Sequence, residues 1–376
     1  MLKLVFVSNI LDQSMIGLCD ELYYDKDINF SFIEYKSAMA SVKTRVSEQR
    51  EYLLKYNENT EESKKILKNA DAIIVGHAPD DFIKEYIKTK LIIKSSERLS
   101  KDDDTLLKKV KRRLSNIKHH KVFQKYKPLY FGIGINSILD VKRFHLYRDR
   151  AYMWTYFPTI DDSFDEKSIV KKYDEFKNSK TKRIVWAGRM VECKKIEDIV
   201  RSAHISKQNG FSFTITLVGD GPVRPKIEEL VKKYELSDVV SFKGLLPLCE
   251  TLNIIKASDF LFMSSDKREG WGMVVNNAMN YGTVVIGNQQ SGSVSTLLDD
   301  NSGFLYKESS QAPEALKLAL SADIDDVKAK AINAFRKLKK QWSPVIGEQR
   351  LKTIVNNALK GEYKSPYKEG LFIQLD

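Results

Sequence analysis

The stretch that decides the fold runs from Phe260-Leu-Phe-Met263, through Ser264-Ser265-Asp-Lys-Arg-Glu269-Gly270-Trp271-Gly272, to Met273-Val-Val-Asn-Asn277-Ala-Met279 and Thr283-Val-Val-Ile286. A short apolar run reads as a buried strand. A glycine-bounded turn, apolar positions at helical spacing and a second apolar run follow it. Strand, helix and strand in that order make a parallel βαβ unit, and open sheets of this kind bind ligands at the carboxyl ends of their strands. Gly270 and Gly272 leave backbone N–H groups bare at a helix start, where the helix dipole favours an anion. Glu269 is positioned either to accept hydrogen bonds from ligand hydroxyls or simply to cap the helix.

The alternation extends on both sides. Upstream come strand 183–187, helix 196–208, strand 212–218, helix 223–234, strand 239–243 and helix 249–257. Downstream come a strand over 303–305 and helix-rich sequence over 311–361. Three more clusters sit just past strands. Gly188-Arg189-Met190 is followed by Lys194-Lys195, a guanidinium fork and a compact ammonium suited to phosphate oxygens. Gly219-Asp220-Gly221-Pro222, with Arg224 after it, makes a sharp strand-to-helix elbow, too short for a dinucleotide fingerprint. Ser291-Gly292-Ser293 closes a loop that starts at Gly287.

The N-terminal half has the same grammar. Strands are expected at Leu2–Val7, Phe30–Glu34, Ala72–Val75, Lys90–Lys94 and Tyr130–Ile135, with helices over 61–69 and 81–87. Residues Trp154–Asp174 read as a crossover, because Pro158, Asp161, Asp162, Ser163 and Asp165 break the periodicity. The expected organisation is therefore α/β with two doubly wound, Rossmann-like domains. An N-terminal domain spans 1–165, a second spans 166–345, and a helix and tail over 346–376 cross back to the first.

Composition narrows the classes. With 42% hydrophobic and 30% charged residues, the 376-residue chain can bury a core. No window is apolar enough to span a bilayer, and the first apolar run is too short for a signal peptide. Three scattered cysteines argue for a reducing cytoplasm and against a disulfide framework or a metal site. The net charge is +12 and the pI near 9.2. Residues 105–127 contain no acid, and Leu107, Val110, Leu114 and Ile117 recur at helical spacing among lysines and arginines. Such a basic amphipathic helix either packs on its own sheet or meets an anionic membrane face. Nothing beside the charge points to nucleic acid. Asp102-Asp103-Asp104 are acids at a helix start and Asp323-Ile324-Asp325 lie in a helical, lysine-rich stretch away from the clusters, so both read as structural rather than metal-binding.

In order and spacing, the clusters over residues 183–306 resemble the retaining GT-B glycosyltransferases of family GT4, the glycosyl transferases group 1. The motifs carrying the resemblance are Gly188-Arg189-Met190 with Lys194, Gly219-Asp220-Gly221-Pro222, Phe242-Lys243-Gly244 and Ala257-Ser258-Asp259. Ser264-Ser265, Glu269-Gly270-Trp271-Gly272 and Asn301-Ser302-Gly303 complete the set. The resemblance implies two domains facing a cleft, and a sugar moved from a nucleotide-diphosphate donor, UDP- or GDP-linked, without cofactor or metal. It implies that Arg189 and Lys194 hold the diphosphate, that Glu269 contacts the donor sugar, and that Gly270, Trp271, Gly272, Met273 and Val274 cap the phosphates. Lys243, Gly244 and Leu245 would contact the base, with Gly188, Gly221 and Arg224 lining the same site. His77 and Glu97 would face the cleft and the acceptor. Where the family carries a second Glu for the ribose, this chain has Asn277, which forgoes charge-assisted bonds worth about 1–2 kcal/mol. Ser295 stands where the family often has Glu, and the first turn, Ser8-Asn9-Ile10-Leu11-Asp12, lacks the family's paired glycines.

The expected activity is retaining transfer to a glycan or lipid-linked acceptor in bacterial surface polysaccharide synthesis (capsule or O-antigen). It would take place in the cytoplasm or peripherally on the inner face of the plasma membrane. Three rivals remain: a non-catalytic GT-B scaffold subunit, an enzyme of the same fold with other chemistry such as an epimerase, and a basic nucleic-acid-binding protein.

Overall fold

Short apolar runs become the strands of two parallel sheets because both faces of each sheet are covered by helices. The structure is a computed structural model that describes residues 1–35, 50–79, 82, 84–99, 106–177 and 179–375. The chain divides into two units, Met1–Ile160 with Gln341–Asp376, and Asp161–Lys340.

The first unit comprises β1 (Leu2–Ser8), α1 (Ile16–Tyr24), β2 (Ile28–Glu34), β3 (Leu53–Lys55), α2 (Thr60–Asn69), β4 (Ala72–Val75), β5 (Leu91–Ser96), α3 (Leu106–Gln124), β6 (Leu129–Ile133), α4 (Ile135–Arg143) and β7 (Ala151–Trp154). The strand order is β3-β2-β1-β4-β5-β6-β7, and all pairs are parallel. β3 and β7 do not appear in the sequence reading. They are three and four residues long at the two edges of the sheet, too short to show a period. The helix expected over 81–87 is also absent as an α-helix. Among the described residues, 84–89 form turns, and the Asp81 end lies outside the described residues. Asp102-Asp103-Asp104 lie outside them too.

The second unit comprises α5 (Glu166–Phe176), β8 (Lys182–Ala187), α6 (Ile196–Gln208), β9 (Phe213–Val218), α7 (Arg224–Lys233), β10 (Val240–Gly244), α8 (Leu248–Lys256), β11 (Phe260–Met263), α9 (Val274–Asn280), β12 (Val284–Asn288), α10 (Gly292–Leu297), β13 (Gly303–Tyr306), α11 (Ala312–Ser321) and α12 (Ile324–Lys337). Its strand order is β10-β9-β8-β11-β12-β13, again parallel throughout. Ile184, Trp186, Leu217, Phe260, Phe262 and Ile286 anchor one contiguous core. α5 occupies residues that read as crossover. Asp165 caps it, accepting from the Ser168 N–H at 2.9 Å, so the acids that break periodicity mark a helix start. Asp323 likewise caps α12, accepting from the Asp325 N–H at 2.8 Å.

The C-terminal segment belongs to the first unit. α13 (Pro344–Leu359) packs on α1, and Lys352 ion-pairs with Asp25. The tail beyond it runs along β7. The Met153 N–H donates to the Ile373 carbonyl at 2.9 Å and the Phe372 N–H to the Met153 carbonyl at 2.8 Å. Phe372 is buried against Phe131 and Trp154, which covers a sheet edge that would otherwise be open to pairing.

α3 carries the acid-free stretch. Phe123 and His120 are buried, and His120 Nδ1 lies 2.6 Å from Tyr147 Oη. Val110 and Leu114, four residues apart, are 49% and 62% exposed instead of packed on the sheet. Lys111, Lys118 and Lys121 are exposed on the same helix. Among the described residues, no helix is long and apolar enough to cross a membrane.

Candidate active site

Each sheet reverses its strand order once, and that is where a crevice opens. In the second unit the reversal lies between β8 and β11, whose continuations carry Lys194 and Glu269. The two residues are 75 apart in sequence, yet Lys194 Nζ donates to Glu269 Oε2. Ser265 Oγ donates to the same oxygen at 3.2 Å. Both charged side chains are less than a fifth exposed, so water screens them weakly. Lys194 sits in a one-turn helix, Glu192–Lys194, whose last residue is followed by Lys195 in a left-handed conformation. That bend is anchored from β11: Ser264 Oγ donates to the Lys194 carbonyl at 2.6 Å and the Asp266 N–H to the Cys193 carbonyl at 2.9 Å. Arg189 projects nearby in sequence with an exposed side chain.

The glycines explain themselves by contact. A Cβ on Gly219, whose φ is +128°, would lie 1.8 Å from the Gly188 carbonyl oxygen. The Gly221 position is closed by the Met190 carbonyl in the same way, at 2.3 Å. Backbone bonds lace the loops together, with the Gly188 N–H donating to the Val218 carbonyl (3.0 Å) and the Met190 N–H to the Asp220 carbonyl (2.8 Å). Across the crevice, a Cβ on Gly292 would meet the Gly270 carbonyl oxygen at 2.1 Å, and the Ser293 N–H donates to the Trp271 carbonyl at 3.0 Å. Trp271 is buried, with Nε1 donating to Asn276 Oδ1 at 2.8 Å. Trp271 therefore supports the turn from behind rather than offering its ring to a ligand.

The other residues singled out divide in two groups. Gly272, Met273, Val274 and Asn277 lie at the start of α9, all partly exposed. Arg224 is tied down: Nε donates to Glu228 at 2.7 Å and Nη1 to Asp220 at 3.1 Å. Its charge is already matched by two carboxylates. Lys243 and Leu245 are exposed at the end of β10, and Gly244 takes a φ of +65° with its carbonyl accepting from the Gly219 N–H at 2.7 Å. The structure adds Ser293, which has no assigned role in the sequence reading. Its hydroxyl is buried without a hydrogen-bond partner among the described residues, 3.2 Å from the point where a Gly272 Cβ would stand. A buried hydroxyl in that condition calls for a hydrogen-bond partner.

In the first unit the reversal lies between β1 and β4. A cavity of about 280 Å³ opens there, lined by Ser8, Asn9, Asp12, His77, Ser95 and Tyr156 among others. The His77 N–H donates to Ser8 Oγ at 3.3 Å. Glu97 does not line the cavity directly; it reaches it through Tyr156, whose hydroxyl donates to Glu97 Oε1 at 2.9 Å. The turn residues Ser8, Asn9 and Asp12 thus form the pocket floor, a role their lack of glycines conceals in the sequence. Among the described residues, no group of three or more His, Cys, Asp and Glu side chains could hold a metal ion.

Residues 169–342 match the sequence model of the family described as glycosyl transferases group 1. The match covers most of the second unit. Its curated relatives include the putative colanic acid biosynthesis glycosyltransferase WcaL of Escherichia coli, 26% identical over 147 residues, which are 38% of this chain and 36% of WcaL. The amylovoran biosynthesis glycosyltransferase AmsK of Erwinia amylovora is 26% identical over 46% of this chain and 44% of its own length. The chain thus spans less than half the length of the curated relatives it matches. Among solved structures, a glycosyltransferase from Rickettsia africae has a TM-score of 0.68 at 14% identity, covering 96% of this chain and 99% of its own. HepE of Anabaena, solved in complex with UDP and glucose, has a TM-score of 0.65 at 14% identity, covering 95% of this chain and all of HepE. The fold of the chain is accordingly that of the GT-B glycosyltransferases, with one Rossmann-like sheet in each unit.

Proposed function

We propose that this chain transfers a sugar from a nucleoside-diphosphate donor to a hydroxyl of a glycan or lipid-linked acceptor, with retention at the anomeric carbon. The bond from that carbon to the diphosphate oxygen breaks, and a bond to the acceptor oxygen forms. The acceptor's proton leaves with the diphosphate. The observation that carries this reading is the Lys194–Glu269 pair at the strand-order reversal of a group 1 domain. Negative charge grows on the leaving diphosphate in the transition state, and Lys194 and Arg189 supply fixed positive charge for it. Glu269 accepts from donor-sugar hydroxyls, and Ser293 adds a donor beside Gly272. This reading assigns no role to a metal or cofactor. Surface polysaccharide synthesis is the setting that the names of WcaL and AmsK suggest for it.

Thermal-shift titration with UDP, GDP, ADP and CMP tests the donor site. One diphosphate is expected to raise the melting temperature in the wild type and to lose most of that effect in Arg189→Ala and Glu269→Ala. No shift with any nucleotide would favour the scaffold reading, to which Asn277 in the ribose position already lends some support.

The acceptor side of the proposal is a membrane-bound substrate on the cytoplasmic face. Exposed Val110 and Leu114, flanked by Lys111 and Lys118 on α3, support it, since basic residues near an anionic surface contribute about 1 kcal/mol each. The protein is expected to sediment with anionic liposomes at low salt, and Val110→Ser with Leu114→Ser to lower the bound fraction several-fold. Failure to sediment removes the membrane from the proposal and leaves the donor chemistry standing.

A further inference from the structure

The second unit holds a cavity of about 540 Å³ at the end of its sheet opposite Lys194 and Glu269, between α5, the C-terminal end of α8 and the first residues of β8. Phe164, Lys171, Lys172, Phe176, Arg183 and Lys256 line it, and Glu175 is the one carboxylate among its lining residues. Basic groups gathered this closely repel one another to the extent that nearby carboxylates leave them unmatched.

The partners these groups have inside the protein neutralise them only in part, Arg183 through Asp259 and Lys171 through Glu175. Arg183 gives its Nε to buried Asp259 at 3.3 Å, and its guanidinium lies 3.3 Å from the centre of the Phe176 ring. Its Nη2 is buried and has no hydrogen-bond partner among the described residues. Lys256 lies over the rings of Phe164 (4.9 Å) and Tyr281 (5.5 Å), and among the described residues it has no carboxylate within ion-pair distance. Asp161 feels its charge at longer range. Lys171 meets Glu175 only loosely, at 4.0 Å, and is mostly exposed. Lys172 is buried and donates to the Tyr281 carbonyl (3.2 Å) and to Thr283 Oγ1 (2.8 Å), neutral acceptors both. Burial pushes it down to about 7, against the nearby Asp259 carboxylate, which favours its charged form. Aromatic faces hold a cation in place without cancelling it. The result is a pocket lined by two exposed lysines, an arginine and aromatic walls, which is the recognition chemistry of a phosphate group carried on a compact body.

We propose that this cavity is a second anion site, which binds a phosphate group, either free orthophosphate or a phosphomonoester such as a sugar phosphate. It rests on residues that the donor reading does not use. Lys172 also holds the carbonyls of Tyr281 and Gly282, just past the C-terminal end of α9, the helix that starts beyond Gly272. One helix therefore separates the pocket from the candidate active site.

Calorimetric titration at low salt tests this, with orthophosphate and glucose 6-phosphate as probes. The proteins are the wild type, Lys171→Gln with Lys256→Gln, and Arg189→Ala. Both lysines are exposed, so the double variant keeps the fold, which an unchanged melting temperature verifies. Saturable binding is expected in the wild type and in Arg189→Ala, weakened about tenfold or more in the double variant, consistent with loss of two charge-assisted contacts. Glucose 6-phosphate binding tighter than orthophosphate assigns the site to a phosphomonoester whose sugar lies on Phe164 and Phe176; equal affinities assign it to free phosphate. Protection of Lys256 from acetylation by the same probes, read by mass spectrometry, is the independent check. No saturable binding, equal affinity in the double variant, or loss of binding in Arg189→Ala alone would overturn the proposal.

Discussion

Replacing Lys194 by alanine is expected to slow sugar transfer by about 10²–10³-fold, the cost of removing one preorganised group that stabilises transition-state charge. The size of the effect follows from position. A lysine on open surface contributes little, because water and salt screen it. Lys194 is only 18% exposed, held against Glu269, with its carbonyl accepting from the Ser264 hydroxyl just past β11. Its ammonium needs no rearrangement of solvent when charge develops on the leaving diphosphate. Release of the nucleoside diphosphate selected in the thermal-shift titration is the assay. A double-mutant cycle separates two roles. If Lys194 only positions Glu269, then Lys194→Ala, Glu269→Gln and the double variant lose the same factor. If it also stabilises the leaving group, Lys194→Ala loses more turnover than Glu269→Gln, while the KM for donor moves less than kcat. A loss below about threefold in Lys194→Ala would sink the role assigned to it here.

Gly219→Ala should destabilise the second unit by about 3 kcal/mol, as the sum of left-handed backbone strain and overpacking. The new methyl would stand 1.8 Å from the Gly188 carbonyl oxygen, a backbone atom in a loop that cannot step aside. The Gly188 and Met190 N–H groups bond to β9 and its continuation, so moving that oxygen breaks ladder hydrogen bonds as well. In a unit of this size the melting temperature falls by about 6–12 °C. The same shift displaces Arg189, so nucleotide binding weakens along with stability. Calorimetry that resolves the two units checks this, with the first unit's transition unmoved. Gly210→Ala is the matched control. Gly210 also has a positive φ, +77°, but nothing lies within 4 Å of its missing Cβ, so only the backbone strain remains. A Gly219→Ala protein no less stable than Gly210→Ala would contradict the close-approach argument.

Much of this site is legible from the chain because its parts are local. Gly188-Arg189 and Gly219-Asp220-Gly221 directly follow apolar strands and Glu269-Gly270-Trp271-Gly272 follows one by six residues, and a strand end in a parallel sheet is a binding position wherever the strand lies. Arg224 shows the limit of that logic. It stands in the right turn with the right charge, yet Asp220 and Glu228 already occupy its guanidinium. Both acids are within four residues, so the pairing was available to the sequence, but the choice between internal carboxylates and a ligand phosphate depends on rotamers that spacing does not specify. Glu97 shows the same limit at longer range, since Tyr156 stands between it and the cavity.

The sequence by itself determined the class and order of most elements, the presence of two α/β units and the residue types at the strand ends. These follow from periods of two and 3.6, glycine punctuation and cap residues, all set by neighbours a few positions away. Tertiary structure alone decided what meets across the sheet. Lys194 reaches Glu269 over 75 residues, and Gly270 backs onto Gly292. Likewise, the tail around Phe372 returns to pair with β7 more than 200 residues upstream, and four cations converge at the far end of the second sheet. Parallel strands are joined only by crossovers, so every one of these contacts is non-local. Its partner is chosen by strand order and register, which the hydrophobic burial of the whole sheet selects.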